Sequence, residues 1–249
     1  MDFLIPDWPA PDHVQARVTT RRGGVSAAPY ASLNLGDHVG DDPAAVAANR
    51  AELRAYLPAE PLWLKQIHGC GIATADQVAG IPEADGSISR QTGRICAVLT
   101  ADCLPVLFCD RAGMVVAAAH AGWRGLADGV LEAAVAAMVV EPGEILAWLG
   151  PAIGPQAFEV GEEVRQAFMA QDPAAASAFV PSPQTPHSPA RPGKWLADIY
   201  SLARQRLARA GVKQVFGGDF CTYTDAERFY SYRRDGATGR MASLLWLDS

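Results

Sequence analysis

Ile95-Cys96-Ala97-Val98-Leu99-Thr100, Ala101-Asp102-Cys103, Leu104-Pro105-Val106-Leu107-Phe108-Cys109, Asp110-Arg111-Ala112-Gly113 and Met114-Val115-Val116-Ala117-Ala118-Ala119-His120 follow one another without interruption. The apolar runs lack the polar alternation of a half-exposed strand, and small alanines stand where larger groups would project. Three strands buried on both faces are therefore expected. The Asp110–Gly113 stretch supplies a hairpin-like turn, and the Asp102-Cys103 step marks a break where the chain bends. Adjacent residues on a regular strand face opposite sides, so Asp102 and Cys103 can share a site only if the strand has ended there.

Working outward, Val14–Val18 alternates like a strand, and Pro61–His68 reads as another with its histidine near the end. Asp42-Pro43 opens a helix through Tyr56, with an aspartate cap and proline in the first turn. After His120-Ala121-Gly122-Trp123-Arg124-Gly125 an alanine-rich helix is expected to run to about Val140. A strand over Glu144–Gly150 follows, then helices over Phe158–Ala170 and Asp198–Ala210, the latter stopped by Gly211. Pro181–Pro192 holds five prolines and no periodicity, which reads as a surface loop. Ala242–Leu247 is the closing strand. This irregular alternation predicts a mixed-sheet α+β fold rather than a doubly wound sheet, in a single domain over 1–249.

The 249 residues are 49% apolar and 19% charged, enough to bury a substantial core. The formal charge of −6 argues against nucleic acid as the main partner. No apolar run approaches the roughly 18 residues of a membrane helix, so no membrane partner is expected. No secretory signal is visible, and five cysteines without a CxxC pair suit a reducing compartment; a cytoplasmic protein is the expectation.

Five histidines are few. His13 and His187 sit in proline-flanked stretches and read as surface residues, while His38 lies in a polar turn, a weaker candidate for lining a site. His68 and His120 each end an apolar stretch and are followed within two residues by glycine, which lets the backbone turn and leaves the imidazole at a strand end. With Cys103 they form a dispersed set, 35 and 17 residues apart. Two imidazoles and a thiolate suit zinc with a fourth position open. The same residues also suit a metal-free site in which His120 activates a Cys103 nucleophile, or could be three unrelated core side chains. Cys70, two residues after His68, would close a structural zinc site if it faced the metal.

Several further stretches carry a resemblance. They are Thr20-Arg21-Arg22-Gly23-Gly24-Val25-Ser26, Ser32-Leu33-Asn34-Leu35, Trp63-Leu64-Lys65-Gln66-Ile67-His68-Gly69, Thr100-Ala101-Asp102-Cys103-Leu104-Pro105, His120-Ala121-Gly122-Trp123-Arg124-Gly125, Leu149-Gly150-Pro151-Ala152-Ile153-Gly154, and the tail motifs Tyr230–Asp235 and Thr238-Gly239-Arg240. Together they resemble the YfiH family, often labelled polyphenol oxidase or laccase-domain proteins. The resemblance implies an α+β fold with a mixed, sandwich-like β core flanked by helices, and a zinc ion held by His68, Cys103 and His120; copper(II), which usually out-competes zinc at nitrogen-sulfur sites, is a substitute on chemical grounds. It implies purine nucleosides and phosphate as substrates: phosphorolysis of adenosine, inosine, guanosine or methylthioadenosine, and deamination of adenosine. On that reading Cys103 and His120 are catalytic, with Asp102 a candidate general acid/base. Asn34 and Gln66 are candidates for reading a purine or ribose. Arg22 and Arg50, with Arg124, Arg233 and Arg234, are candidates for holding phosphate. A Cys-His hydrolase or amidase acting on peptidoglycan precursors is the alternative. A multi-copper oxidoreductase fits worst, because its copper(II) centres need on the order of ten imidazoles.

Overall fold

The computed structural model describes residues 1–78, 80–183 and 193–248. Most of the proline-rich stretch, with His187, therefore lies outside the described residues. In chain order the elements are β1 (Phe3–Leu4), β2 (Val14–Thr19), α1 (Pro43–Arg54), β3 (Pro61–Leu62), β4 (Ile72–Thr74), β5 (Gly86–Ser89) and β6 (Ile95–Thr100). Next come β7 (Leu104–Asp110), β8 (Val116–Ala121), α2 (Trp123–Asp128), α3 (Val130–Met138), β9 (Ile145–Leu149), β10 (Glu159–Gly161) and α4 (Glu162–Gln171). Then follow β11 (Phe179–Pro181), β12 (Lys194–Ala197), α5 (Ile199–Arg209), β13 (Gln214–Gly217), α6 (Tyr232–Asp235) and β14 (Met241–Leu247).

The strands form a five-stranded sheet, β1-β2-β14-β6-β3, a six-stranded sheet, β13-β9-β7-β8-β5-β4, and a small sheet, β10-β12-β11. Parallel pairs (β3 with β6, β4 with β5, β13 with β9) occur beside antiparallel ones, so the large sheets are mixed, as expected. The two-residue period of a strand sorts the side chains into layers. Cys96, Val98 and Leu245 of the first large sheet meet Leu107, Cys109, Val116, Ala118 and Trp148 of the second, forming the interior of a sandwich. The opposite face of β6 and β14, with Ile95, Ala97, Leu99 and Leu244, packs on Leu33, Leu35 and Leu53. The opposite face of the six-stranded sheet, with Val106, Phe108, Ala117 and Ala119, packs beneath Leu126, Leu131, Ala134 and Leu202 of the helices. Covering both faces of each large sheet explains the unbroken apolar runs. Every residue of β6, β7 and β8 is buried.

The expected cap forms at Asp42, which accepts from Ala44 N, and Asp198 also proves to be a cap, accepting from Tyr200 N and Ser201 N. The Asp110–Gly113 turn is held by Asp110 Oδ1, which accepts from Met114 N at 2.7 Å and Val115 N at 2.9 Å.

Four expected boundaries are corrected. The helix after Gly122 is two helices, because Gly129 adopts a left-handed φ of 107° and ends α2. Only Pro61–Leu62 of the 61–68 segment pairs as a strand with β6. The rest bends away, making a single bridge from Lys65 to Glu83 before His68. The strand expected over Met114–Ala119 begins at Val116 and runs through His120 to Ala121. The helix expected from Phe158 starts at Glu162, because Glu159–Gly161 first pairs with β12.

Candidate metal and substrate site

Three separate pieces of backbone bring the site together. β7 and β8 are antiparallel neighbours, with Leu104 opposite Ala121 and Pro105 opposite His120. The residue just before β7, Cys103, therefore lies beside the end of β8 that carries His120. The chain reaches Cys103 through Asp102, whose φ of 85° ends β6 and releases the strict alternation of a strand. His68 comes from a turn, with its own φ at 62°. Left-handed backbone at non-glycine residues costs on the order of 1–3 kcal/mol each and persists only where the surroundings impose it.

Those surroundings centre on Asp85, immediately before β5 and fully buried. Its Oδ1 accepts from His120 Nδ1 at 2.8 Å and from His68 N at 2.9 Å. Its Oδ2 accepts from Gly69 N at 2.7 Å and Ile67 N at 3.1 Å. One carboxylate thus sets the ring of one histidine and the backbone turn of the other. With Nδ1 of His120 engaged, Nε2 is left for the site. The sequence reading missed Asp85. The signal was an aspartate set between the small residues Ala84 and Gly86.

The donor atoms of His68, Cys103 and His120 all lie within 4.8 Å of one another. Cys103 Sγ is 3.9 Å from His68 Nε2, and the two imidazoles sit edge to face with centroids 4.8 Å apart. Gly122 makes this approach possible: a Cβ there would come within 2.7 Å of His68 Cδ2 and 3.2 Å of Cys103 Sγ. Burial pushes the Cys103 thiol up, but hydrogen bonds and charge from His120 and then His68 outweigh it and leave it at about 6. Burial pulls His120 down, yet Asp85 and Cys103 hold it protonated up to about 9. Burial also raises Asp85, and the donors from His120 and Gly69 more than reverse that, leaving it below the usual carboxylate range.

A thiolate-forming cysteine and two histidines fit a borderline-soft divalent cation at a site of this width. Among the described residues no fourth histidine, cysteine or carboxylate joins the group. Cys70 stays outside it. Its Sγ lies 3.7 Å from Gly125 O, and burial raises its thiol. The closed structural site considered from the sequence is therefore not formed through Cys70.

The three donors open into a cavity of about 520 Å³. Of the other candidates, Asp102 and Gln66 line this cavity, as does His38, and Asn34, Arg50 and Arg22 do not. Asp102 already has two partners: Oδ1 accepts from Thr222 Oγ1 at 2.6 Å, and Oδ2 from Arg233 N at 2.7 Å. Gln66 pairs its amide with Leu99, accepting from Leu99 N at 2.7 Å and donating to Leu99 O at 2.8 Å, which extends the edge of β6. Asn34 is fully buried, donating to Gly36 O and Asp41 Oδ2 and accepting from Gly36 N and Arg240 N. Arg50 donates to Leu35 O, pairs with Asp37 and stacks on Trp63. Arg22 pairs with Glu227 at the surface. Arg124, Arg233, Arg240, Tyr232, Phe158 and Ile199 complete the parts of the wall that matter below. No helix among the described residues is long and apolar enough to cross a membrane, and all five cysteines are free thiols.

Comparison with known proteins agrees with this architecture. The family described as multi-copper polyphenol oxidoreductase laccase matches residues 15–248. A purine nucleoside phosphorylase from Pseudomonas aeruginosa is 59% identical over 245 residues, covering 98% of each chain. Purine nucleoside phosphorylase YfiH from Escherichia coli is 57% identical over 251 residues, again covering 98% of each. Among solved structures, a Neisseria meningitidis protein of family DUF152 superposes with a TM-score of 0.92 at 54% identity, over 100% of both chains. YlmD from Geobacillus stearothermophilus superposes at 0.85 and 31% identity, over 100% of this chain and 97% of that one. The chain belongs to the YfiH family, whose members carry the laccase domain description.

Proposed function

We propose that this cavity is the active site of a zinc-dependent purine nucleoside phosphorylase in the cytoplasm. The observation that carries the reading is a three-donor group, two imidazoles and a low-pKa thiol, left open at a cavity of nucleoside size. The names of the relatives at 57–59% identity support the same class of reaction. His68, Cys103 and His120 would hold the metal, and Asp85 would fix the orientation of both histidines. When bound, the ion supplies a Lewis-acid charge that stabilises developing negative charge on a substrate atom. Zinc is favoured over a set of copper centres because the chain has five histidines in all, and two of the described ones meet here.

In phosphorolysis a phosphate oxygen forms a bond to the anomeric carbon while the glycosidic bond to the purine breaks. Its electron pair leaves with the base, which takes up a proton. The chain's part is to hold the two reactants in line and to stabilise charge. The apolar wall of Phe158 and Ile199, with the exposed ring of Tyr232, suits a flat purine, and the cationic wall suits phosphate. The same cavity would hold adenosine for deamination, in which a water oxygen bonds to the purine carbon bearing the amine and ammonia leaves.

The test is a nucleoside panel incubated with metal-assayed protein, with and without phosphate, separating free base from deaminated product. Base release that requires phosphate is the expected result. No turnover of any nucleoside would overturn the reading.

One observation favours a second reading. Cys103 at about 6 beside His120 is also the pairing of a thiolate nucleophile with its acid, as in an amidase acting on peptidoglycan precursors. Purified protein that is active without any metal would favour it.

A further inference from the structure

Three arginines line the cavity, and they are built differently. Arg124 is exposed and stacks on Trp123, 4.4 Å from its ring. Arg233 is also exposed, and its Nη1 donates to the carbonyls of Glu159 at 2.8 Å and Ala157 at 3.4 Å. Arg240 is half-buried and held along its whole length. Its backbone N donates to Asn34 Oδ1 at 2.9 Å. Its stem lies against Gly36 so closely that a Cβ there would come within 2.8 Å of Arg240 Cγ. Its Nη1 donates to the carbonyls of Thr238 at 2.9 Å and Gly239 at 3.0 Å. Among the described residues, these contacts leave Nε and Nη2, the two parallel donors of one guanidinium edge, without a protein partner. Among the described residues no carboxylate forms an ion pair with Arg240.

This is an unusual state for a half-buried arginine. A guanidinium withdrawn from water normally brings a carboxylate with it, because its planar fork matches two oxygens at once. Burial disfavours the Arg240 charge, and Cys103 and Asp102 are the acidic groups acting on it most strongly. The same guanidinium acts on His38, which also lines the cavity. Asp102, the one carboxylate among the described lining residues, is engaged by Thr222 and Arg233. The wall is left cationic, with one rigid, open fork.

We propose that the Nε/Nη2 edge of Arg240 binds the inorganic phosphate that attacks the nucleoside, an inference that rests on the phosphorylase reading above. Arg240 holds two phosphate oxygens, leaving another free to form the bond to the anomeric carbon as the bond to the purine breaks. Arg240 itself neither gains nor loses a proton. Asn34 and Gly36 act through it: the first pins its backbone, and the second makes room for its stem.

The test titrates inorganic phosphate into wild-type, Arg240→Gln, Arg240→Lys and Arg22→Gln proteins, following the phosphorus NMR signal, with melting curves as a check on folding. Arg240→Gln is expected to weaken phosphate binding by about 10- to 100-fold, the worth of a charge-assisted bidentate contact. Arg240→Lys keeps the charge, loses the fork and falls between, and it carries the test if the glutamine variant does not fold. Arg22→Gln, at the surface, binds as wild type. In steady state with inosine, the Arg240 variants raise the KM for phosphate by the same factor and leave the KM for inosine within about twofold. Wild-type phosphate affinity in both Arg240 variants overturns the proposal, as does an equal loss of phosphate and nucleoside affinity. Arg240-dependent phosphate binding without base release by the wild type supports the subsite and removes the phosphorylase reading. Phosphate-dependent base release with an unchanged phosphate KM in both variants does the reverse.

Discussion

Asp85 grips His120 through a 2.8 Å hydrogen bond to Nδ1, and the same carboxylate oxygen takes the backbone N–H of His68 at 2.9 Å. The two imidazoles are thus coupled through a group that is not itself a donor to the site. An asparagine at this position would keep one acceptor oxygen and turn an NH2 group toward N–H donors. Asp85→Asn is therefore expected to weaken metal binding by about 10- to 100-fold, the usual worth of a ligand-orienting carboxylate. Competition with a chromophoric chelator measures it, and unchanged affinity would refute the role. Asp85 also bears on acid stability. Its carboxyl is held below the usual range in the folded state, so its contribution is present above the unfolded value of about 3.9 and fades as pH falls through the folded one. The difference in Tm between wild type and Asp85→Asn should narrow correspondingly below about pH 4.

Cys103 should react as a thiolate in the metal-free protein. Its thiolate forms at about 6, whereas burial pushes Cys96 and Cys109 up to about 12. Iodoacetamide labelling followed by peptide mass mapping should show Cys103 modified at neutral pH, with a rate that rises through about pH 6 and then levels. Bound metal should suppress the reaction. A Cys103 rate still climbing above pH 9 would contradict the assignment.

Gly122 leaves room for the site rather than supplying chemistry. In Gly122→Ala the new methyl would meet His68 Cδ2 at 2.7 Å. Overpacking of this kind costs about 1–3 kcal/mol, and here the nearest group able to yield is the His68 ring itself. The variant should fold, melt at a lower temperature and bind metal more weakly than wild type. Wild-type metal affinity together with a wild-type Tm would show that the ring has room to spare.

Asp102 separates a proton-transfer role from a positioning one. A general acid or base is worth about 100- to 10,000-fold in rate. Both oxygens of Asp102 already accept hydrogen bonds, from Thr222 and from the backbone of Arg233 in α6. That arrangement engages both oxygens and ties the α6 wall to the β6–β7 break. Asp102→Asn is expected to cost less than about tenfold in kcat, with the pH–rate profile unmoved. A loss of 100-fold or more, with one limb of the profile missing, would restore Asp102 to the chemistry.

Much of this was legible in the chain. The doubly buried strands around Cys103, the cap at Asp42 and the turn at Asp110–Gly113 all follow from local pattern, and the structure keeps them. Where a single glycine or a pairing partner decided, local pattern failed. Gly129 splits one long apolar helix into two, and β12 claims Glu159–Gly161 before α4 begins. Asn34 shows the limit for site residues. It stands in a recognisable motif, yet all its polar atoms bind this chain's own loops.

By itself, then, the order of residues determined which segments would be buried, that the fold would be a mixed α+β sandwich, and that His68, Cys103 and His120 were the residues to watch. Burial and turn chemistry are short-range properties, written into neighbouring side chains. Only the tertiary structure decided that Asp85 holds both histidines, that Arg50 and Arg22 stay out of the cavity, and that Arg240 lines it. Those facts depend on strand register and on which loops meet at one end of a sheet, distances between residues that no local pattern encodes.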